Sequence, residues 1–308
     1  MGLLAPHPWY GYFPAVTTPF DSRLRVDYAA FAELVDWLIG EGMHGIAAAG
    51  STGEWHALTR RERCRLFHVT RSRTPASRRT IAGCSALRLE DTRYYLDAAH
   101  DTGFDAALLT VPPYVCPTDA EAVAYFRGVA DTSPIPLIVY NWPQGTGTDL
   151  SLESLRALAS HEGILGIKNS TPDRDAFRAS LVVLANMTLI FGVMPGTEGI
   201  ELLRTTRAAG CIGAAGVLGR AQPGFYDAVA TGDSALAVRY GRGDERLMAT
   251  FFSGFRGRFA HAIPTLKFLL GLRGLPSGRV RPPLLDVDAA QAARITRLVE
   301  QTALFSNA

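Results

Sequence analysis

The sequence predicts a (β/α)8 barrel, an α/β TIM-barrel fold, followed by a C-terminal helical extension. Short apolar runs alternate with amphipathic stretches, there are eight such pairs, and together they occupy about 230 residues. Parallel strands that are covered on both faces are expected to be apolar throughout, as these runs are. Two open α/β domains would also fit 308 residues, but eight pairs in this length favour one closed barrel.

Each pair joins a short apolar run to a stretch whose apolar residues recur at helical spacing. After the eighth pair, three further helices are predicted, and Pro276, Pro282 and Pro283 separate the last two. We therefore predict a barrel over residues 1–233 and an extension over residues 234–308 that packs on it. In chain order, the strand runs are GYFPAVTTPF, GIAAAG, TIAGCS, DAALLTVPP, PLIVYN, GILGIKN, TLIFGV and CIGAAG. The helices that follow them are DYAAFAELVDWLIGEG, TRRERCRLFHVTRS, LEDTRYYLDAAHDTG, TDAEAVAYFRGVADTS, LSLESLRALASHEG, PDRDAFRASLVVLAN, GTEGIELLRTTRAAG and RAQPGFYDAVATGD, and the extension contributes ALAVRYGRGDERLMATFFSGF, AIPTLKFLLGLRG and DAAQAARITRLVEQTALF.

Composition and charge indicate a soluble cytoplasmic protein. The formal net charge is +2, and the short basic runs TRRERCR and SRRT lie beside predicted helix ends, so we expect no nucleic-acid partner. The four cysteines are widely spaced without a CxxC motif, which indicates reduced thiols. The N-terminus resembles no signal peptide and no apolar run has membrane-spanning length, so we expect no membrane association.

The segment GILGIKNST contains Lys168, one of only two lysines in a chain with 29 arginines. Arginine stays protonated in proteins, whereas an amine can lose its proton and attack a carbonyl carbon. Lys168 ends a predicted strand, where active sites of such barrels lie, so it is a candidate nucleophile. Tyr140 ends the preceding strand and could shuttle a proton to or from this amine. A lysine paired with a carboxylate and a packed tyrosine are the alternatives.

The segment GSTGE (Gly50 to Glu54) follows the second predicted strand. Its two hydroxyls and its backbone N–H groups could hold a small carboxylate, although an ordinary loop has the same composition. There is no G-x-S-x-G elbow, no G-x-x-x-x-G-K-[ST] loop and no dinucleotide fingerprint. The seven histidines show no H-x-x-x-H spacing, which disfavours a metal-dependent aldolase. We expect neither a metal nor a cofactor.

In their order along the chain, these motifs resemble those of the dihydrodipicolinate synthase / N-acetylneuraminate lyase superfamily. The matching segments are TTPF in strand one, GSTGE after strand two, YNWP after strand five, GIKNS at strand six, GCIGA at strand eight and PTLKFLLGLRG in the extension. The resemblance covers nearly the whole chain, and Tyr140 and Lys168 are separated by the interval usual in the family.

This resemblance implies a class I mechanism, in which Lys168 forms a Schiff base with the keto carbon of pyruvate or a larger 2-oxo acid. Tyr140 would relay protons, and Ser51 and Thr52 would hold the carboxylate, with the carbonyl of Ile212 nearby. The catalytic residues expected are Lys168, Tyr140, Ser51 and Tyr114, and the substrate-binding residues expected are Thr52, Ile212, Gly192, Ser170, Trp142, Gly145, Met194 and Glu198.

The sequence departs from the family pattern at three places. Gly145 occupies the position where dihydrodipicolinate-forming synthases carry an arginine, which argues against lysine biosynthesis. Gly192 is followed by residues 193–195 (VMP) instead of the Asp-Glu pair of sialic acid lyases, which argues against that sugar. The relay tyrosine that the family contributes to a neighbouring subunit falls on Val115. Either Tyr114 replaces it from a shifted loop, or the relay is different.

The reaction expected is retro-aldol cleavage of a 4-hydroxy-2-oxo acid to pyruvate and an aldehyde. Dehydration of a 2-keto-3-deoxy sugar acid through the same imine is the alternative, and a non-catalytic paralogue that binds a 2-oxo acid or scaffolds a partner is a third possibility. None of the residues expected at the distal end of the substrate is a cation, which predicts a monocarboxylic substrate with a neutral or cationic far end. Glu198 is a candidate partner for such a cation. The resemblance also implies a homodimer or homotetramer.

Overall fold

Eight parallel strands form a closed barrel in the computed structural model, which describes residues 7–184, 186–253 and 256–306. The strands follow one another around the barrel in chain order, and β8 pairs with β1 from Gly11–Gly210 to Ala15–Ala214. This confirms the (β/α)8 prediction. The strands are β1 (Gly11–Ala15), β2 (Gly45–Ala48), β3 (Arg79–Gly83), β4 (Ala106–Leu109), β5 (Leu137–Asn141), β6 (Ile164–Asn169), β7 (Leu189–Phe191) and β8 (Gly210–Ala214).

Helices follow the strands and begin at polar capping residues where the sequence supplies them. Thr59 and Thr118 form capping boxes with Glu62 and Glu121, which satisfy backbone N–H groups at the starts of α2 and α4. A short helix directly after β5, Pro143–Thr146, was not predicted. In the described residues, no helix combines the length and the apolar character needed to cross a membrane. The helices are α1 (Tyr28–Gly40), α2 (Arg60–Arg73), α3 (Leu89–Thr102), α4 (Asp119–Ala130), α5 (Pro143–Thr146), α6 (Leu152–Ala159), α7 (Arg174–Leu184), α8 (Thr197–Thr205), α9 (Ala221–Thr231), α10 (Ser234–Phe251), α11 (Ala262–Leu272) and α12 (Ala289–Gln301).

The buried apolar side chains form two clusters, one inside the barrel and one between the barrel and its helices. Successive residues of a strand point to opposite faces, so Leu137 and Val139 pack under the helices while Ile138 and Tyr140 point inward. Phe191 joins the inner cluster. Tyr140 is therefore the last inward-facing residue of β5, and its position follows from the alternation along the strand.

In the extension, α10 packs against α8 and α9. The predicted first helix of the extension was too long, because Phe252–Ser253 forms a short strand, β9, that pairs antiparallel with β10 (Arg256–Gly257). The mostly apolar stretch of residues 247–252 is compatible with either structure, so the sequence did not show this change. The predicted residues 254 and 255 of that helix lie outside the described residues.

Lys267, the second lysine, ties the extension to the loop after β2. Its ammonium donates to Glu54 Oε1 (2.6 Å), to the Thr18 carbonyl (2.6 Å) and to the Arg279 carbonyl (2.5 Å). Glu54 is fully buried, and its other oxygen accepts from the Arg281 backbone N–H at 3.0 Å. Burial lowers the pKa of Lys267, and the charge of Glu54 opposes this shift. The ion pair holds the loop that carries Ser51 and Thr52.

Candidate active site

A cavity of about 560 Å³ lies at the carboxyl ends of the barrel strands. This is the end at which enzymes of this fold place their catalytic groups. The strands bring most of the predicted site residues together there, while the predicted residues Tyr114 and Glu198 are not part of the cavity wall. The predicted residues that line the cavity are Ser51, Thr52, Tyr140, Trp142, Gly145, Lys168, Ser170, Gly192, Met194 and Ile212.

Lys168 and Tyr140 are neighbours because β5 and β6 pair in register, with Tyr140 opposite Lys168. The Lys168 Nζ lies 4.0 Å from the centroid of the Tyr140 ring. An ammonium over the face of an aromatic ring is stabilised by the negative face of the ring. Tyr140 is 8 % exposed and its ring is held by the inner core, so the amine has a rigid neighbour. The pair places a primary amine and a phenol at one point of the cavity.

A layer of amides and hydroxyls fixes the ends of these two strands. Asn141 donates to Asn169 Oδ1 (3.0 Å) and to Asp149 Oδ1 (2.9 Å), and Asn169 donates to the hydroxyl of Ser180 (3.1 Å). The hydroxyl of Thr171 donates to the second oxygen of Asp149 at 3.1 Å. Sequence analysis did not identify this layer, although β5 ends in the pair Tyr-Asn and β6 ends in the pair Lys-Asn. That repetition is the signal that could have identified it.

The loop after β2 presents unused hydrogen-bond donors to the cavity. The backbone N–H groups of Gly53 and Glu54 are occupied by the carbonyls of Gly50 and Ser51 within the turn. Within the described part of the chain, the hydroxyls and backbone N–H groups of Ser51 and Thr52 have no hydrogen-bond partner. These donors are available to a carboxylate.

Trp142 explains why position 145 is glycine. The Trp142 ring stacks on Tyr140 with a centroid distance of 5.6 Å and an interplanar angle of 6°. A Cβ atom at Gly145 would lie 2.2 Å from this ring, so no other residue fits while the ring stays in place. The indole Nε1 is buried and makes no hydrogen bond with the residues described. Trp142 thus takes the space in which a side chain at position 145 would reach the cavity.

We expect Gly145→Ala to displace Trp142 and weaken substrate binding. The added methyl group would overlap the indole ring, so the ring has to move to make room for it. The near-ultraviolet circular dichroism of the stacked pair should change, and KM should rise about tenfold. Gly128→Ala is the control, because Gly128 lies on the exposed face of α4 with nothing within 4 Å of its Cβ position. An unchanged spectrum and KM in Gly145→Ala would contradict this role of the glycine.

Glu198 faces the neighbouring helix α7 instead of the cavity. It forms ion pairs with Arg174 and with Arg178, the latter at 2.8 Å. Its charge is therefore already compensated, and a free carboxylate for a cationic substrate is not found at this position. Arg174, the first residue of α7, lines the cavity, and sequence analysis missed this cation. The reason is that the sequence shows where a helix starts but not which neighbour its first side chain meets.

Tyr114 lies on the loop between β4 and α4 and is 95 % exposed. Its backbone is in the left-handed region, with φ +78°, and of this loop only Pro113 lines the cavity. Tyr114 therefore does not enter the cavity of its own chain. Its contribution to a neighbouring subunit stays a prediction.

The helical extension closes one side of the cavity with polar groups that sequence analysis did not single out. They are His261, which caps α11 by accepting from the Ile263 N–H (3.3 Å), and Asp244 of α10, with Gln222 of α9 behind it. Burial lowers the pKa of His261 and of His56, which lines the cavity from the loop after β2. No group of three or more His, Cys, Asp or Glu side chains arranged to hold a metal ion occurs among the described residues.

The chain matches a known family over nearly its whole length. The model of the dihydrodipicolinate synthetase family matches residues 8–302. A 4-hydroxy-tetrahydrodipicolinate synthase from Acidothermus cellulolyticus is 32% identical over 302 residues, which cover 95% of this chain and 92% of the relative. An uncharacterized DapA-like lyase from Rhizobium meliloti is 27% identical over 290 residues, covering 93% and 94% of the two chains. A prophage protein of the dihydrodipicolinic acid synthase family from E. coli K12, solved in complex with pyruvate, has a TM-score of 0.85 at 23% identity, covering 96% of this chain and 99% of that one; this likeness concerns the fold.

Proposed function

The chain belongs to the dihydrodipicolinate synthetase family of lyases, and from this premise we propose that it cleaves a 4-hydroxy-2-oxo acid to pyruvate and an aldehyde. The observation that carries the proposal is the pairing of Lys168 with Tyr140 in one cavity, beside the free donors of Ser51 and Thr52. The relative solved with bound pyruvate supports a 2-oxo acid as the ligand.

The proposed reaction begins when the unprotonated Lys168 amine attacks the keto carbon and water leaves, which forms an imine. Ser51 and Thr52 hold the substrate carboxylate by hydrogen bonds, and Ile212 lines the same cavity. When the protonated imine withdraws electrons, the hydroxyl on C4 loses its proton and the bond between C3 and C4 breaks. The bonding electrons form an enamine, and the aldehyde departs.

Tyr140 is the group best placed to move the protons in these steps. It can accept the proton of the C4 hydroxyl and return a proton to C3 of the enamine, after which water hydrolyses the imine and releases pyruvate. Its ring lies against the amine, with Nζ 4.0 Å from the ring centroid, so the phenol is close to a substrate bound at Lys168. The amide layer behind Asn141 and Asn169 keeps this geometry fixed in the absence of substrate.

We propose that this chain does not catalyse the synthase reaction for which relatives such as the Acidothermus cellulolyticus protein are named. That reaction needs a partner for a second carboxylate, and position 145 offers only glycine beneath the Trp142 ring. Arg174 lines the cavity, but its charge is engaged by Glu198. We propose instead a substrate with one carboxylate and an uncharged far end.

A panel of substrates tests the proposal. The purified protein is given 4-hydroxy-2-oxo acids, 2-keto-3-deoxy sugar acids, and pyruvate with aspartate semialdehyde, and pyruvate release, water loss and condensation are assayed separately. We expect pyruvate release from a monocarboxylic substrate to be the fastest reaction. Faster water loss would favour the dehydratase, and faster condensation with the semialdehyde would show that Gly145 and Trp142 do not exclude the second carboxylate. If none of the three reactions occurs and no imine forms at Lys168, the result would favour a non-catalytic protein.

Replacing Tyr140 by Phe separates proton transfer from imine chemistry. The ring that supports Lys168 stays, while the phenol is lost, so we expect kcat to fall about 10²- to 10³-fold. KM should change little, because the groups that hold the carboxylate are untouched. Steady-state kinetics of pyruvate release measure this effect. Tyr125→Phe is the matched control, because Tyr125 packs between α4 and the core outside the cavity and loses only a 3.4 Å contact with the Thr92 hydroxyl. Equal kcat in Tyr140→Phe and wild type would remove Tyr140 from the mechanism.

A further inference from the structure

A buried polar cluster outside the Lys168 pair lines the same cavity. It consists of Tyr12 of β1, Gln222 of α9 and Asp244 of α10. The Gln222 Nε2 donates to the Tyr12 hydroxyl oxygen (2.9 Å) and to Asp244 Oδ1 (2.8 Å), and its Oε1 accepts from the Leu218 N–H at 3.2 Å. Both N–H groups of the Gln222 amide are therefore used, one to orient Tyr12 and the other to orient Asp244.

Asp244 and Tyr12 each keep one hydrogen-bonding group without a partner in the described part of the chain. Asp244 is 1 % exposed, and its Oδ2 is buried with no hydrogen-bond partner in the described part of the chain. The hydrogen of the Tyr12 hydroxyl likewise finds no acceptor among the residues described. Buried polar atoms in native proteins are normally paired, so an unpaired carboxylate oxygen on a cavity wall calls for a ligand.

The surroundings of the cluster select the chemistry of that ligand. The cavity wall beside Asp244 is formed by Leu247 and Met248 on its own helix and by Met194 and Cys211 of the barrel. The Met194 and Cys211 sulfurs are 3.3 Å apart, and burial raises the pKa of Cys211 to about 12, so these two side chains carry no charge. Asp244 would repel a carboxylate, while a hydroxyl can donate to Asp244 Oδ2 and accept from Tyr12.

We propose that Asp244 and Tyr12 bind a hydroxyl group of the substrate beyond C4, so that the preferred substrate is a polyhydroxylated 2-oxo acid of the deoxy sugar acid class. This inference rests on the proposed function, because it is the imine at Lys168 that brings such a substrate into the cavity. It assigns to α10 of the extension a role in substrate choice.

The protonation of Asp244 fits a hydroxyl ligand. Burial raises the pKa of Asp244 to about 7, and the nearby Glu245 adds to the shift, while the hydrogen bond from Gln222 opposes it. Near neutral pH both forms are populated. The ionised form accepts from a hydroxyl and the neutral form can also donate to one, so binding does not depend on a single protonation state.

The test compares two acids of equal length, a polyhydroxylated 2-keto-3-deoxy acid and a 4-hydroxy-2-oxo acid with no further hydroxyl. Both are measured as substrates and as competitors of pyruvate in borohydride trapping on Lys168, a readout that needs no turnover. We expect wild type to prefer the polyhydroxylated acid. Asp244→Leu should weaken the binding of the polyhydroxylated acid about 10- to 100-fold. The binding of the acid with no further hydroxyl should change less than about threefold.

Three further variants sharpen the comparison. Asp244→Asn should keep most of the preference, because an amide can still pair with Gln222 and with a hydroxyl, and Tyr12→Phe should lose part of it. Met248→Leu is the control, since Met248 lines the same wall without a polar group. A purely structural role would reduce the binding of both acids equally, which would overturn the inference, as would a wild type without preference.

The two proposals fail in different ways. If pyruvate and borohydride leave wild-type Lys168 unmodified, the proposed function fails. If Lys168 is trapped normally in wild type and in Asp244→Leu, but the two acids compete equally in both proteins, only the hydroxyl site fails.

Discussion

Lys168→Arg should lower kcat/KM for pyruvate release by about 10⁴-fold or more, the largest loss of activity expected from any single change. Arginine keeps a positive charge over the Tyr140 ring, but it stays protonated and cannot form the imine. Lys168→Ala, which also removes the charge, should lose a similar amount. The rate is measured by coupled assay of pyruvate.

Both variants are expected to fold, because Lys168 is only half-buried and makes no ion pair with the described residues. Their urea unfolding midpoints should stay close to that of wild type, which separates lost chemistry from lost structure. If Lys168→Arg retained more than about a tenth of wild-type activity, a nucleophilic role for the amine would be excluded.

Lys267→Met should cause the largest loss of stability. Removing the ammonium leaves Glu54 fully buried with only the Arg281 N–H as a partner, and breaking a buried ion pair on one side costs about 3–5 kcal/mol. The free energy of unfolding is measured by urea titration of the variant and of wild type. Activity should fall as well, because Glu54 holds the loop of Ser51 and Thr52.

Two controls accompany this measurement. Arg73→Ala breaks an exposed ion pair with Asp36, 3.1 Å long, and should change stability little, since water screens such pairs. Adding Glu54→Gln to Lys267→Met should recover part of the loss, because no unpaired charge then stays buried. A Lys267→Met protein within about 1 kcal/mol of wild type would show that the pair does not anchor the extension.

The sequence was most informative where a residue's place follows from local pattern. Alternation along β5 and the end of the apolar run in β6 were enough to place Tyr140 and Lys168 at the same edge of the barrel, and the register confirms that they are neighbours. The barrel itself followed from eight repeats of one pattern, because each repeat is short and its strand is covered on both faces.

The sequence was least informative where contacts join distant segments. Asp244 and His261 reach the cavity only because the extension packs over it, and no local pattern records that packing. The absence of a side chain at Gly145 was visible in the sequence, but its cause, the ring of Trp142, depends on a side-chain orientation. Arg174 was missed for the same reason, since its neighbours belong to another helix.

Reductive trapping is the most direct test of the central claim that Lys168 forms an imine with a 2-oxo acid. Wild-type protein is incubated with pyruvate and borohydride, and the modified position is located by peptide mass spectrometry. The only other lysine, Lys267, is 2 % exposed and serves as an internal control. We predict one reduced pyruvate adduct on Lys168 and none on Lys267 or in Lys168→Arg, whereas a wild-type protein without an adduct at Lys168 would contradict the account.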